Sequence, residues 1–332
     1  MTLHNHTSIL LLDTSNSSAY TWSFTPISEM VISPVAVVLN AYCLFVFLIK
    51  RELRTPFNVY LRNLLFANLI YTVLNNPLGI VDALFHTWPL GATACNVYTY
   101  SLSALGALTV NSHVIITLNR FWAVTFPVNY RTHHNTRTSL MAVALLWIYV
   151  HAICLPGIIL DALYYRLNLL ENRCLLNGAA QFTWNTFVQF VLYAGPVCFI
   201  LLTYPFILFK HTRRKRIRFS LSRRASSKAI PTSTPPQENE QTVNLPKPVS
   251  ERSYALTVTS LLTLSILVCW APNVIVYTVN GFMGIDSPVV FRVISLLFAL
   301  QSVMDPILFA LAMKDLRRAL CQPLQIHPGQ CR

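Results

Sequence analysis

MVISPVAVVLNAYCLFVFLI, residues 30–49, runs for twenty positions without a charged side chain. A helix that crosses the hydrocarbon of a bilayer needs about 20 mostly apolar residues, and no water is present there to satisfy an exposed backbone. The stretch therefore reads as a spanning helix. Runs of the same character follow at about 63–85, 94–118, 138–160, 184–209, 254–279 and 289–313. The pattern predicts an all-α fold, a seven-transmembrane helix bundle, and no sequence repeat is evident. Prolines interrupt several runs, at Pro34, Pro77, Pro156, Pro196, Pro272 and Pro306. Membrane helices tolerate them because neighbouring groups take up the freed backbone.

Composition points the same way. Apolar residue types make up 54% of the chain and charged ones 11%, against about 25% charged in a soluble protein. Residues 1–27 form a tail, 28–313 the seven-helix domain and 314–332 a short closing segment. Its first part, Lys314 to Leu320, is amphipathic and reads as an eighth helix. The joint at 210–253 is rich in Arg, Ser and Pro and reads as partly disordered.

Lys and Arg exceed Asp and Glu by 13, and the placement of that excess decides its meaning. With the N-terminus outside, 22 of the 25 basic residues fall at inner joints and the tail, leaving Arg166, Arg173 and Arg292 outside. That bias is the mark of a membrane orientation and not of a nucleic-acid partner. The expected location is the plasma membrane, multi-pass, with an extracellular N-terminus. Asn5-His6-Thr7 and Asn16-Ser17-Ser18 fit the N-glycosylation pattern, which suits an outside tail. Met1 to Ser8 has no Lys or Arg, so the first span is expected to serve as its own insertion signal. Eight cysteines occur without a CxxC pair or a metal-ligand cluster. The spans lack paired acids, a serine–lysine dyad and an HExxH motif, so neither a transporter nor an enzyme is expected.

From about residue 28 to 321 the chain resembles the rhodopsin-like (class A) G-protein-coupled receptors, as a divergent member. The landmarks stand in order: Asn40 in the first span, Leu64 through Asn68 in the second, and Trp88-Pro-Leu-Gly91 followed by Cys95. Arg120-Phe-Trp-Ala-Val-Thr-Phe-Pro127 and Tyr130 come next, then Trp147, Pro196 and Tyr204. Cys269-Trp-Ala-Pro272 and Asp305-Pro306-Ile-Leu-Phe309 complete the set. The resemblance implies a non-enzymatic receptor whose partners are an extracellular ligand, a heterotrimeric G protein, membrane lipid and, through the third inner loop, arrestin. A seven-helix binding or scaffolding receptor without productive coupling is the alternative.

In that frame Cys95 and Cys174 both face an oxidising compartment, where a disulfide would tie the second outer loop over the bundle mouth. Two free thiols are the plain alternative. Cys321 follows the amphipathic stretch, a placement that suits S-palmitoylation. By resemblance Asn119, Arg120, Tyr204, Trp270, Pro272, Asp305, Pro306 and Phe309 form the switch and G-protein-coupling set. Trp270 would link pocket to switch, whereas the bland reading makes it a core aromatic.

Departures from the family pattern are as informative. Asn119 stands where the family has an acid beside the arginine. Arg252, with Glu251 one place off, stands where many relatives have a second acid. Asn68 occupies the place of a sodium-binding aspartate, and Asp305 the place of an asparagine, so the two are exchanged. Asp305 then either binds sodium with Thr109 and Ser302 or sits protonated against Asn68. Sodium is the one candidate cofactor. Phe309 replaces a tyrosine whose hydroxyl would help hold the active state through Tyr204.

The outward-facing pocket is expected to include Tyr98, Leu102, Ser103, Gly106, Trp270, Asn273, Tyr277, Arg292 and Ala299. Leu102 stands where amine receptors have their aspartate, and Ala299 where visual pigments have their lysine. A peptide or a non-amine small molecule is therefore expected. Asp82 and Arg292 lie near the mouth and are expected to pair. From Lys314 to Arg332 there is no Ser or Thr, whereas the third inner loop offers many, including Ser226 after Arg223 and Arg224.

Overall fold

The computed structural model describes residues 22–227, 249–283 and 287–321. Among them seven helices are long and apolar enough to cross a membrane. They are α1 (Phe24–Ile49), α2 (Pro56–Leu84), α3 (Gly91–Thr125), α4 (Thr136–Tyr165), α5 (from Phe182 to Ser227), α6 (from Val249 to Met283) and α7 (Pro288–Ala312). A short helix, Pro127–His133, links α3 to α4, and α8 (Lys314–Cys321) closes the described chain.

The starts of two helices are set by local chemistry. Thr55 accepts from the Asn58 amide at 3.3 Å with Pro56 at the first position of α2, and Asn135 accepts from the Thr138 amide at 3.0 Å at the start of α4. Each cap satisfies a backbone donor that the helix leaves unpaired.

The outside is apolar, and the inside mixes apolar side chains with hydrogen-bonding ones. On α1 the side chains of Val31, Val38 and Phe45 are exposed, spaced by sevens, while Ala36, Asn40, Cys43 and Phe47 are buried. Lipid is as apolar as any core, so apolar side chains gain nothing by turning inward, and hydrogen-bonding groups do. Asn63 shows the result: it donates to Ser112 at 2.8 Å and accepts from the Trp147 indole at 2.9 Å, joining α2, α3 and α4. α3 runs through the middle of the bundle against α2, α4, α5 and α6.

Four π-helical turns interrupt the described spans: Ser101–Leu105, Asp161–Tyr165, Gln189–Ala194 and Ile266–Trp270. Two lie immediately before helical segments that carry a proline at their second position, Pro196 and Pro272. Proline has no N–H and its ring crowds the carbonyl four residues back, and the wider turn removes that conflict. Gly195 fits the same turn, since a Cβ there would sit 2.8 Å from the Phe190 carbonyl oxygen.

The helices overrun the apolar stretches read from sequence at nearly every end. α1 begins at Phe24, α2 at Pro56 and α3 continues to Thr125. Hydropathy marks the hydrocarbon thickness, while the helix itself continues as long as polar side chains reach the interface. The largest difference is at the basic joint: α5 runs on to Ser227 and α6 begins at Val249. Only 228–248 of the joint expected at 210–253 remains between them, and its expected disorder lies outside the described residues. The expected glycosylation sites Asn5 and Asn16 also lie outside them.

α8 packs back on the bundle. Leu316 and Ala319 are buried, and the Tyr42 hydroxyl of α1 donates to the Leu320 carbonyl at 2.7 Å.

Candidate functional site: a polar core between two specialised ends

At one end of the bundle Cys95, near the start of α3, is bonded to Cys174 in the segment between α4 and α5, with a Cα–Cα distance of 5.6 Å. Beside it Asp82 of α2 forms an ion pair with Arg173 and accepts from the Cys174 amide at 3.2 Å. The expected partner of Asp82 was Arg292. Arg292 is instead exposed and makes no ion pair among the described residues. The disulfide explains the exchange, because it delivers Arg173 directly over Asp82. A second carboxylate, Asp161, pairs with Arg166 and accepts from the Asn177 amide at 2.9 Å. The segment is thus fastened at three points, and a Trp88–Tyr98 ring stack at 5.5 Å packs against the disulfide.

A cavity of about 370 Å³ opens at this end between α5 and α6, lined by Phe182, Asn185, Gln189, Phe190, Tyr277 and Phe282 among others. Of the pocket residues expected from sequence, Tyr277 alone lines it. Ser103, Gly106 and Trp270 gather instead around Tyr193. Its hydroxyl donates to the Ser103 carbonyl at 2.8 Å and lies 3.4 Å from where a Gly106 Cβ would be, and its ring centre is 6.3 Å from that of Trp270. Tyr98 belongs to the disulfide cluster, Leu102 is partly exposed, Asn273 reaches the Ile294 carbonyl of α7 at 3.5 Å, and Ala299 is buried. Gln189, which donates to Thr278 at 3.0 Å across the α5–α6 gap, was not anticipated. Nor was Glu29 of α1, whose carboxylate points at Gly79 and Tyr98. An acid immediately before the first apolar run was the available signal.

In the middle of the bundle Asp305 is fully buried. Its Oδ2 accepts from Asn68 at 2.8 Å and its Oδ1 from Gln301 at 2.7 Å, and Ser265 donates to Gln301 at 3.0 Å. His113 of α3 brings Nε2 to 3.4 Å from Asp305 Oδ2. The expected sodium ligands do not converge. Thr109 donates to its own helix at Leu105, and the Ser302 carbonyl accepts from Asn40. A cation needs oxygen lone pairs, and both oxygens of Asp305 already face amide donors. Gln301 and His113 were missed in the sequence; a histidine inside the third span, seven residues before Arg120, was the signal for the latter.

Trp270 is buried in the π-turn of α6, edge-on to Phe298 of α7 at 4.8 Å. Phe309 is fully buried, and Tyr204 is half-buried on α5. At the end opposite the disulfide, Arg120 donates to Asn119 Oδ1 and to the Tyr130 hydroxyl at 2.9 Å, and lies 3.8 Å over the Phe57 ring. Asn119 and Tyr130 are both neutral acceptors. The side chains of Glu251 and Arg252 lie outside the described residues. Tyr130 stacks on His134 at 4.3 Å, and His134 in turn is 6.2 Å from Tyr60. Burial, followed by the Arg120 charge, lowers the His134 pKa to about 4.

The family model described as "7 transmembrane receptor (rhodopsin family)" matches residues 39–309. The chain belongs to this family. Similar curated proteins include Melanopsin-B of Gadus morhua, 27% identical over 36% of this chain and 20% of that protein. Melanopsin of Branchiostoma belcheri is 24% identical over 43% of this chain and 21% of its own length. 5-Hydroxytryptamine receptor 1D of Homo sapiens is 27% identical over 38% and 33%. The chain spans about a fifth to a third of the length of these relatives. As a rhodopsin-family receptor it is a seven-helix membrane protein with an amphipathic helix after the last span, and its family is one of receptors and not of enzymes.

Proposed function

We propose that this receptor carries an extracellular signal, from a peptide or a non-amine small molecule, to a heterotrimeric G protein. The observation that carries the reading is the pairing of two unlike ends across one polar core. A cavity beside Tyr277 lies at the disulfide end, Arg120 with Asn119 and Tyr130 lies at the other, and Trp270 and Asp305 stand between. The disulfide end faces outward, since a disulfide persists in an oxidising compartment and the basic residues collect at the opposite end. The location is then the plasma membrane, with Asn5 and Asn16 on the outer tail.

Leu102 supports the non-amine ligand, because it offers no counter-ion to an ammonium group, and Ala299 excludes a Schiff base. Agonist binding would move α6 about its π-turn and open a cleft beside Arg120 for the G protein. The joint after α5 would serve arrestin. Cys321 at the end of α8 would carry palmitate, as a thiol that cytoplasmic redox conditions keep reduced. The core would work without sodium.

The test is G-protein activation in cells without added ligand, across the G-protein classes, compared with cells lacking the receptor. Output above background from any class supports coupling. Silence from every class, with normal surface delivery, overturns it in favour of a binding or scaffolding receptor.

A further inference from the structure

Glu29, near the start of α1, is partly buried and has neither an ion pair nor a hydrogen bond among the described residues. Its Oε2 lies 3.5 Å from where a Cβ on Gly79 of α2 would stand, so the bare glycine leaves it room. The Tyr98 hydroxyl of α3 comes to 3.8 Å from the same point. Tyr98 is only 8% exposed, and its hydroxyl also lacks a hydrogen-bond partner among the described residues. Its ring is held in place by the stack on Trp88. A carboxylate and a buried phenol, on two different helices, thus converge on one spot at the disulfide end, and the fold uses neither.

The neighbouring polar groups are already matched. Asp82, three residues beyond Gly79, pairs with Arg173, and Asp161 pairs with Arg166. Asn76 donates to Ser33 at 2.7 Å, and Asn75 donates to Tyr71 at 2.8 Å. Of the buried and partly buried carboxylates described at this end, Glu29 alone has no cation. A carboxylate withdrawn from water costs free energy until a counter-ion meets it. The geometry also selects the kind of cation. A guanidinium is a planar fork suited to the two oxygens of one carboxylate. Here the oxygens belong to separate side chains, which suits the compact ammonium group with its three donors.

We propose that Glu29 and Tyr98 form an ammonium subsite, which takes the amino terminus or a lysine side chain of a peptide ligand. The proposal rests on the receptor reading above and selects the peptide from its two ligand classes. Leu102 leaves α3 without a counter-ion, and the counter-ion stands on α1 instead.

The experiment titrates the purified full chain with three small probes and follows the thermal unfolding midpoint, which rises with ligand that binds the folded state. Phenylalaninamide presents an α-ammonium, N-acetyl-lysinamide a side-chain ammonium, and N-acetylphenylalaninamide no charge. At about pH 7 an α-amino group is still mostly charged. At least one ammonium probe should bind about fivefold tighter than the neutral probe, as a partly exposed charged hydrogen bond implies. The tighter of the two identifies the source of the ammonium. Glu29→Gln should abolish the advantage without lowering the unliganded midpoint, and Tyr98→Phe should reduce it. Because the readout is binding, a receptor silent toward every G protein can still hold the probes, and a coupling receptor can fail to. No advantage over the neutral probe, or an advantage that persists in Glu29→Gln, overturns the proposal. If Glu29→Gln does not fold, an undiminished advantage in Tyr98→Phe overturns it instead.

Discussion

Asn68 donates to Asp305 across 2.8 Å, so the two residues whose types stand exchanged relative to the family face each other directly. The carboxylate stands on α7, and the amide that donates to it stands on α2. Asp305→Asn removes the carboxylate that Asn68, Gln301 and His113 converge on and should lower surface expression or output. Adding Asn68→Asp should restore part of it. A double variant no better than the single one would show that the two positions do not act as a pair. Because amides already occupy both oxygens of Asp305, replacing sodium by potassium in the buffer should move the unfolding midpoint of the purified receptor by less than about 1 °C, well under the roughly 2–4 °C that 1 kcal/mol is worth in larger domains.

The loop over the disulfide end is held both by the Cys95–Cys174 bond and by the Asp82–Arg173 pair. These should contribute unequally. Closing a loop between positions 79 residues apart is worth about 4 kcal/mol on a chain-entropy account. Arg173 is half exposed, so its pair with Asp82 should contribute about 1 kcal/mol or less. Thermal melts of Cys174→Ser and Arg173→Ala should rank in that order, with the cysteine variant also losing surface delivery.

Asn119 holds Arg120 through a neutral acceptor. Hydrogen bonds to a charged partner on both sides are stronger, so Asn119→Asp should tighten the resting arrangement by about 1–2 kcal/mol, roughly five- to 30-fold in population. Second-messenger output without ligand should fall accordingly at matched surface expression. An unchanged or higher basal output would mean that Asn119 does not restrain the arginine.

His134 supplies a pH dependence. Its pKa of about 4 in the folded chain lies below the ordinary histidine value of about 6.5. The unfolded chain therefore binds the extra proton first, and stability falls as pH drops from about 6.5 toward 4. Protonation would also set a second cation beside Arg120 and loosen the stack on Tyr130. Melts of the purified receptor should decline over this window, and His134→Phe, which keeps a ring and cannot titrate, should flatten the decline.

The number and order of the spans were legible because lipid imposes length and apolarity on each of them separately. Helix ends were less so: α5 continues past Lys210 on residues that hydropathy assigns to a loop. The switch residues were found by landmark, yet their partners were not. Nothing in the sequence says that Gln301 turns its amide to Asp305, or that Arg173 rather than Arg292 lies over Asp82. The first lies within α7 and the second joins α2 to a loop, and both depend on side-chain directions that hydropathy does not encode. The cavity beside Tyr277 was missed for the same reason, since its walls come from α5 and α6 beyond two π-turns.

Each π-turn holds one residue more than an α-helix needs to cover the same rise. Four of the described spans thus carry a spare residue within the membrane, at Ser101–Leu105, Asp161–Tyr165, Gln189–Ala194 and Ile266–Trp270. In an ordinary membrane helix, deleting a single residue swings everything beyond it by about 100° and turns lipid-facing side chains inward. Where helix follows the bulge, at Ser101–Leu105, Gln189–Ala194 and Ile266–Trp270, the deletion has somewhere to be absorbed: the bulge closes, and the flanking halves keep their faces. The chain can therefore shorten by one residue at these places and still present the same surfaces to its neighbours, a latitude that α1, α2 and α7 do not share.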